Sequence, residues 1–159
     1  MRITRTTLDI GLPAPFTALH LSDAHVALAD ERDDERKRAL AVSRSAYFNQ
    51  PTGDNLALFE QQIDYARAHG LPVLYTGDIL DFVSFKNLEY AKAQLDRVDY
   101  FLCAGNHEYS QYVGEAFEDV AYRMQTYALV QAYFKNNLLC DSRVMGGINF
   151  VAMDDGYYR

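Results

Sequence analysis

Three short runs of apolar residues dominate the hydropathy pattern, and polar side chains follow each of them. The runs predict β-strands at residues 16–21, 71–76 and 98–103. An apolar run of this length, bounded by turn-forming residues, is typical of a strand buried on both faces of a parallel sheet. Open α/β sheets bind their ligands just beyond the carboxyl ends of such strands. We therefore expect the chemistry of this chain at the residues that follow the three runs.

Apolar residues at helical spacing separate the runs. One set predicts a helix with Asp54 as its N-cap and Gly70 as its left-handed C-cap, and a second set predicts a helix before the third run. The apolar positions of these two helices are Leu56, Phe59, Ile63 and Ala66, and Phe85, Leu88, Ala91 and Leu95. The alternation of strand and helix predicts a parallel sheet and an α/β fold.

A run of charged residues at 30–38 places acids before bases, which favours a solvated helix running to about Phe48, followed by a turn at 50–54. The basic residues of this helix lie close to the first strand exit along the chain, so they are candidates to contact a substrate phosphate. They are Arg36, Lys37 and Arg44. The ordinary interpretation of such mixed charges is a solvated surface.

The two ends of the chain predict further elements. Residues 2–9 alternate enough to predict a strand that pairs at a sheet edge. After Tyr109, a long amphipathic helix is predicted to end near Asn136. Its apolar face is Phe117, Val120, Ala121, Met124 and Ala128. Strands at 138–145 and 148–153, joined by a two-residue glycine turn, predict a hairpin.

The strand exits carry side chains that bind metals or transfer protons. They are Asp23 and His25, then Asp78 and Asp81, then Asn106 and His107. Carboxylate, imidazole and amide groups together suit Mn, Fe or Zn better than Ca or Mg alone. A carboxylate such as Asp78 can bridge two divalent ions, which would activate a bridging hydroxide for attack on a phosphoryl group. His107 would then protonate the leaving oxygen, with Asp81 orienting its ring.

Composition limits the class of protein. The chain has 159 residues, of which 49% are apolar, so we expect a single domain over residues 1–159. The net charge of -7 disfavours a nucleic-acid partner without excluding one. Two cysteines are too few for a disulfide framework, residues 1–10 lack the apolar core of a signal peptide, and no run approaches membrane-spanning length. We therefore expect a soluble, cytoplasmic protein.

Three segments resemble the first three motifs of the calcineurin-like metallophosphoesterase superfamily. They are Asp23-Ala-His25, Gly77-Asp78-Ile-Leu-Asp81 and Gly105-Asn106-His107-Glu108, in that order and each at a strand exit. The resemblance implies a four-layer α/β/β/α sandwich and hydrolysis of small-molecule phosphomonoesters or phosphodiesters through two divalent metal ions.

The resemblance also implies a role for each motif residue. Asp23 and His25 would bind the first metal ion, Asp78 would bridge the two ions, and Asn106 would bind the second. His107 would contact the substrate and its leaving group. Asp81 would pair with His107.

The chain departs from the family in one respect. The family's later histidine and its Gly-His-x-His motif do not occur in these residues, and neither His20, expected in the core, nor His69, expected at a helix end, replaces them. We therefore expect the N-terminal part of a longer protein, carrying about half of the dimetal site and a truncated second sheet. Such a chain should bind metal weakly and turn over slowly.

Two alternatives follow from that departure. A catalytically inactive binding or scaffold protein could retain the fold without the reaction. Alternatively, two copies of the chain could complete each other's sheet through the open strand edge, which would make a homo-oligomer.

Overall fold

Three parallel strands carry the predicted site in the computed structural model, which describes residues 2–113 and 119–154 and, for residues 50–52, only the helical backbone. The strands are β1 (Leu19–Leu21), β2 (Val73–Thr76) and β3 (Tyr100–Cys103), in the order β1-β2-β3. Leu19 pairs with Val73, and Val73 pairs with Tyr100. The parallel sheet is confirmed. Each strand ends at the residue predicted for it, so all three exits lie at one edge.

Two helices connect β1 to β2, and one connects β2 to β3. They are α1 (Glu35–Thr52), α2 (Asn55–His69) and α3 (Phe85–Leu95). The predicted caps of α2 are confirmed: the Asp54 carboxylate accepts hydrogen bonds from the backbone N–H groups of Leu56 and Ala57, and Gly70 has a left-handed φ of 61°. None of the helices in the described parts of the chain combines the length and the apolar character that crossing a membrane requires.

Helices and a hairpin cover opposite faces of the parallel sheet. One face packs on α2, α3 and the region after α4 (Val120–Gln131), and the predicted apolar positions of α2 and α3 supply much of this core. Its fully buried members include Phe59, Ile63, Ala66, Val73, Leu88, Ala91, Leu95, Leu102, Val130 and Leu138. Burying a side chain of the size of Leu or Phe stabilises the fold by about 1.5–3 kcal/mol. The fold is therefore mixed α/β, as predicted.

The hairpin of β4 (Cys140–Met145) and β5 (Ile148–Met153) lies on the other face of the sheet. Its turn residues Gly146 and Gly147 have φ angles of 58° and 83°, which suits the two-residue turn predicted there. Phe101 of β3 packs against Met145 and Ala152 of the hairpin. Helices, parallel sheet and hairpin thus form three successive layers of the described structure.

The predicted N-terminal strand is wrong. Residues 2–10 form no strand and are exposed, including Ile3 at 47% and Leu8 at 78%. The odd spacing of these two residues places them on opposite faces of an extended chain. No single face is therefore apolar enough to cover a sheet.

The predicted apolar face of the helix after Tyr109 is also wrong. Val120 and Met124 are 63% and 43% exposed, whereas Arg123, Thr126 and Val130 are buried. Ala121 and Ala128 are exposed as well, and Phe117 lies outside the described residues. Val130 belongs to the same core as Phe134 and Leu138, so the residues after the helix fix its rotation. The helix ends at Gln131 rather than near Asn136.

The turn predicted at residues 50–54 begins later in the structure. Helix α1 continues to Thr52 and is capped by Gly53. Gly53 has a φ of 89°, which glycine adopts readily and which strains other residues. The backbone N–H of Gly53 donates to the carbonyl of Asn49 over 3.2 Å and closes the helix.

Candidate metal centre

The segments that follow β1 and β2 run side by side beyond the sheet. The backbone N–H of Asp23 donates to the carbonyl of Gly77 over 3.1 Å, and the N–H of His25 donates to the carbonyl of Asp78 over 3.1 Å. Val26 then forms a parallel bridge with Leu80. Backbone pairing therefore positions the first two motifs relative to each other without using their side chains.

The buried carboxylate of Glu108 fastens the third motif to the second. It accepts hydrogen bonds from the backbone N–H groups of Asp78 over 2.9 Å, Leu80 over 3.1 Å and Gly105 over 2.7 Å. Burial raises the pKa of Glu108, and the three N–H donors oppose that shift. Glu108 was not among the predicted site residues. It accepts from the N–H of Gly105 as the acidic half of a capping box would, but glycine has no side chain to form the other half, so the sequence carried no capping-box signal.

Asp23, His25 and Asp78 converge at this edge, each with a ligand atom within 4.8 Å of the others. His25 Nε2 lies 3.7 Å from Asp23 Oδ1. The backbone φ angles are 57° at Asp23, 46° at His25 and 55° at Asp78, and in the described chain no other non-glycine residue has a positive φ. Such conformations cost about 1–3 kcal/mol each and concentrate at functional sites.

Asp81 and His107 form a second group with His25, again with ligand atoms within 4.8 Å of one another. The Asp81 side chain is fully buried, and its Oδ1 lies 3.3 Å from His25 Nδ1 and 3.6 Å from His107 Nδ1. His107 Nδ1 is 2.5 Å from the backbone carbonyl of Asp81. A carbonyl only accepts hydrogen bonds, so Nδ1 of His107 carries the proton that this contact uses.

Asn106 begins the short 3₁₀ turn Asn106–Tyr109 at the end of β3. The next residue, His107, donates its backbone N–H to Asp78 Oδ1 over 3.0 Å. A side chain on the preceding Gly105 would meet the same Asp78 oxygen at 2.3 Å. The backbone on both sides of Asn106 therefore lies close to Asp78, while a shared metal site for Asn106 and Asp78 stays a prediction.

Arg44 from helix α1 reaches into the second group. Its Nε and Nη2 donate to the two oxygens of the Asp81 carboxylate over 2.7 and 2.9 Å. Burial alone would raise the pKa of Asp81, but hydrogen bonds from His25 and Arg44 lower it overall. The sequence makes Arg44 a candidate contact for a substrate phosphate, whereas in the structure Arg44 binds Asp81.

The donor set fits a divalent cation. Burial alone would lower the pKa of His25, but the facing carboxylates of Asp81, Asp78 and Asp23 raise it overall, which shows a negative potential at the imidazole. His25 Nε2 faces Asp23 and is the nitrogen free to bind a cation there, while Nδ1 faces Asp81 at 3.3 Å. Oxygen and nitrogen donors in a negative field are the composition that Mn, Fe and Zn sites use.

Several residues considered in the sequence analysis lie apart from this site. His20 is exposed and bonds Thr76 over 2.8 Å, so its predicted place in the core is wrong. His69 lies at the end of α2, where its Nδ1 contacts the carbonyl of Tyr65, as expected of a helix-end histidine. Phe82 and Tyr109, which follow the second and third motifs, are core residues buried at 0% and 3%.

The other two basic residues proposed as phosphate contacts face the loop after the third motif. The guanidinium of Arg36 lies 4.1 Å from the centre of the Tyr112 ring, and Lys37 Nζ lies 5.4 Å from it. The Tyr112 hydroxyl in turn donates to Asp34 at the N-cap of α1. These contacts join the N-terminal end of α1 to the loop after the third motif.

We expect Gly77→Ala to destabilise the fold by at least about 2 kcal/mol, because φ is 88° there and a Cβ would lie 2.5 Å from the backbone nitrogen of Gly105. Gly53→Ala is the matched control, since Gly53 has a φ of 89° but no atom within 4 Å of an added Cβ. Urea denaturation of both variants separates strain from the clash. Equal losses of stability would show that the loops do not pack as described.

A comparison with protein families supports the resemblance of the three motifs. The model of the calcineurin-like phosphoesterase family matches residues 16–158, a span that contains all three loops of the metal centre. A search of the curated proteins found no match. Because the family match covers most of the 159 residues and the motifs meet at one sheet edge, the chain belongs to the calcineurin-like phosphoesterase family.

Proposed function

We propose that this protein hydrolyses small-molecule phosphoesters with the help of two divalent metal ions. Asp23 and His25 would hold the first ion, Asp78 would bridge the ions, and Asn106 would hold the second. The observation that carries this proposal is the convergence of Asp23, His25 and Asp78 within 4.8 Å, each in a left-handed backbone conformation. Membership of the phosphoesterase family gives the reaction class.

The residues of the site have two kinds of role, metal binding and proton transfer. When bound, the ions supply Lewis-acid stabilisation of the phosphoryl oxygens and activate the attacking water. Asp78 is held rigidly for its role by His107 N–H on one side and by the Glu108 carboxylate at its own N–H. His107 keeps a proton on Nδ1, which donates to the Asp81 carbonyl, so in its imidazolium form Nε2 would give the second proton to the leaving oxygen and leave the ring neutral.

The charge of the site suits a small substrate. Carboxylates surround His25, and the chain as a whole carries a net charge of -7. Without ions this edge repels phosphate, and with ions the local potential reverses. A compact phosphoester can use that local reversal, whereas a long polyanion would also meet the acidic surface around it. Manganese, iron and zinc are the ions that the donor set favours.

Hydrolysis of 4-nitrophenyl phosphate and bis(4-nitrophenyl) phosphate with added Mn²⁺ tests this function. We expect turnover that a chelator abolishes and that Mn²⁺ restores. Protein that binds Mn²⁺ stoichiometrically but hydrolyses neither ester, nor any other phosphoester tried, would contradict the enzymatic function and favour the binding or scaffold alternative.

We expect Asp78→Asn to weaken Mn²⁺ binding by more than about 100-fold. The amide keeps the size of the side chain and an oxygen for the His107 N–H, but it loses the charge and the bridging ability of the carboxylate. Residues that only orient a metal ligand already contribute 10–100-fold to affinity. Calorimetric titration measures the effect, and Asp64→Asn on the exposed face of α2 is the matched control. Equal affinities in the two variants would exclude Asp78 as a ligand.

A further inference from the structure

The metal centre contains two candidate cation sites that share one residue. His25 belongs both to the group with Asp23 and Asp78 and to the group with Asp81 and His107. Its Nε2 faces Asp23 at 3.7 Å, while its Nδ1 faces Asp81 at 3.3 Å. A cation on the second group would engage His107, the residue needed for proton transfer. Divalent ions must therefore prefer the first group if His107 is to stay free for proton transfer.

Arg44 disfavours a cation at the second group through its geometry and its charge. Its guanidinium forms two parallel hydrogen bonds that occupy one lone pair on each oxygen of Asp81. The Asp81 side chain is fully buried, so water cannot replace these donors. The guanidinium also places a fixed positive charge against the only carboxylate of the second group. A cation there would have to displace Arg44 or accept its repulsion at close range.

Neighbouring contacts of α1 hold Arg44 in this position. Phe48, one turn further along the helix, stacks on the His25 ring with a centroid distance of 4.7 Å and an interplanar angle of 12°. Ser45 donates its hydroxyl to the carbonyl of Ala27 over 2.8 Å. The Arg44 guanidinium itself lies 5.0 Å from the centre of the Phe48 ring. Successive side chains of one helical face therefore dock on the first and second motifs.

We propose that Arg44 is a positioning residue that keeps Asp81 out of metal coordination. By occupying both Asp81 oxygens, it directs divalent ions to Asp23, His25 and Asp78 and reserves Asp81 and His107 for proton transfer. This role rests on the proposed metal-dependent hydrolysis. It assigns to α1, which lies between the first two motifs in sequence, a part in selecting the metal position.

Cobalt binding to the Arg44→Gln protein tests the proposal, with Arg67→Gln on exposed α2 as the matched control. Loss of the guanidinium should free Asp81 as a ligand. We expect Co²⁺ affinity at the His25 site to change by at least about 10-fold, with an altered visible absorption spectrum that reports the new ligand set. Adding Asp81→Asn to Arg44→Gln should restore the wild-type Co²⁺ spectrum, because the competing carboxylate is then removed.

Steady-state kinetics give the second measurement. With Mn²⁺, Arg44→Gln should lower kcat by at least about 10-fold while KM changes by less than about threefold. A rise in KM at constant kcat would show that Arg44 contacts the substrate instead, and would overturn the proposal. Arg44→Lys keeps the charge but cannot bind both oxygens at once, so it should give the same changes at smaller size. It replaces Arg44→Gln if that variant does not fold.

The outcomes separate this proposal from the proposed function. A wild-type protein that binds no divalent ion and hydrolyses no phosphoester would end both. An active wild type whose Arg44→Gln variant binds Co²⁺ with the same affinity and spectrum as Arg67→Gln would overturn the role of Arg44 and leave the function standing.

Discussion

Replacing His107 with alanine is expected to lower kcat for alkyl phosphoesters by about 10²–10⁴-fold, the range that general acid catalysis contributes. His107 Nδ1 is fixed on the Asp81 carbonyl, so Nε2 is the nitrogen that can protonate a leaving oxygen. The effect should shrink for 4-nitrophenyl esters, because 4-nitrophenolate departs without a proton. Rates for both ester classes measure the dependence on the leaving group.

The control for this prediction is His69→Ala, since His69 lies at the far end of α2 and contacts the carbonyl of Tyr65. It should turn over both esters at the wild-type rate. A His107→Ala protein that loses the same factor on alkyl and 4-nitrophenyl esters would contradict the general-acid role. Such a result would point to His107 as a ligand or a structural residue.

Removal of Arg44 is expected to cost more stability than removal of its partner. Arg44→Ala leaves the Asp81 carboxylate buried without its guanidinium, a change that costs about 3 kcal/mol or more. Asp81→Ala leaves a guanidinium whose side chain is already 25% exposed and can turn towards water. We therefore expect Asp81→Ala to cost less. Urea denaturation of metal-free protein at neutral pH measures both, with Arg67→Ala as the surface control.

The pH dependence of this effect has a definite sign. Hydrogen bonds from His25 and Arg44 lower the pKa of Asp81, so its ionised form stabilises the fold above the ordinary carboxyl pKa of about 3.9. That stabilisation is lost as the pH falls through the lowered pKa. The stability difference between wild type and Arg44→Ala should therefore narrow below about pH 4. A difference that stays constant down to pH 2 would show that Asp81 is not the source of the effect.

The parts of the site that follow strands directly could be predicted from the sequence. Apolar runs identify buried strands, and parallel strands must place their carboxyl ends at one edge. That rule brings Asp23, Asp78 and Asn106 to one place without knowledge of any side-chain contact. The caps of α2 were predictable for a similar reason, because Asp54 and Gly70 satisfy local backbone requirements.

The contacts that complete the site depend on tertiary packing and carry a weaker sequence signal. Arg44 lies 37 residues before Asp81, on a helix whose sequence resembles a solvated surface. Only the docking of α1 on the first motif brings the two together. Glu108 carried no motif signal of its own, and its bonds to Asp78 and Leu80 reach another loop.

The wrong predictions elsewhere in the chain have the same origin. The hydropathy pattern places Val120 and Met124 on the buried face of α4, whereas in the structure Val130 and the residues after the helix anchor α4 in the core. Local hydropathy cannot weigh a helix face against anchors that lie beyond the helix. In residues 2–9, β-forming side chains were present, but the apolar ones did not share a face.

Anomalous diffraction from Mn²⁺-loaded crystals is a direct test of the dimetal site. We expect two manganese peaks about 3.5–4 Å apart, the usual spacing of such a site. Asp78 should lie between them, with Asp23 and His25 on one ion and Asn106 on the other. The Asp81 carboxylate should remain paired with Arg44. A single peak bound by His25, Asp81 and His107, or no peak within bonding distance of Asp78, would rule out this dimetal site.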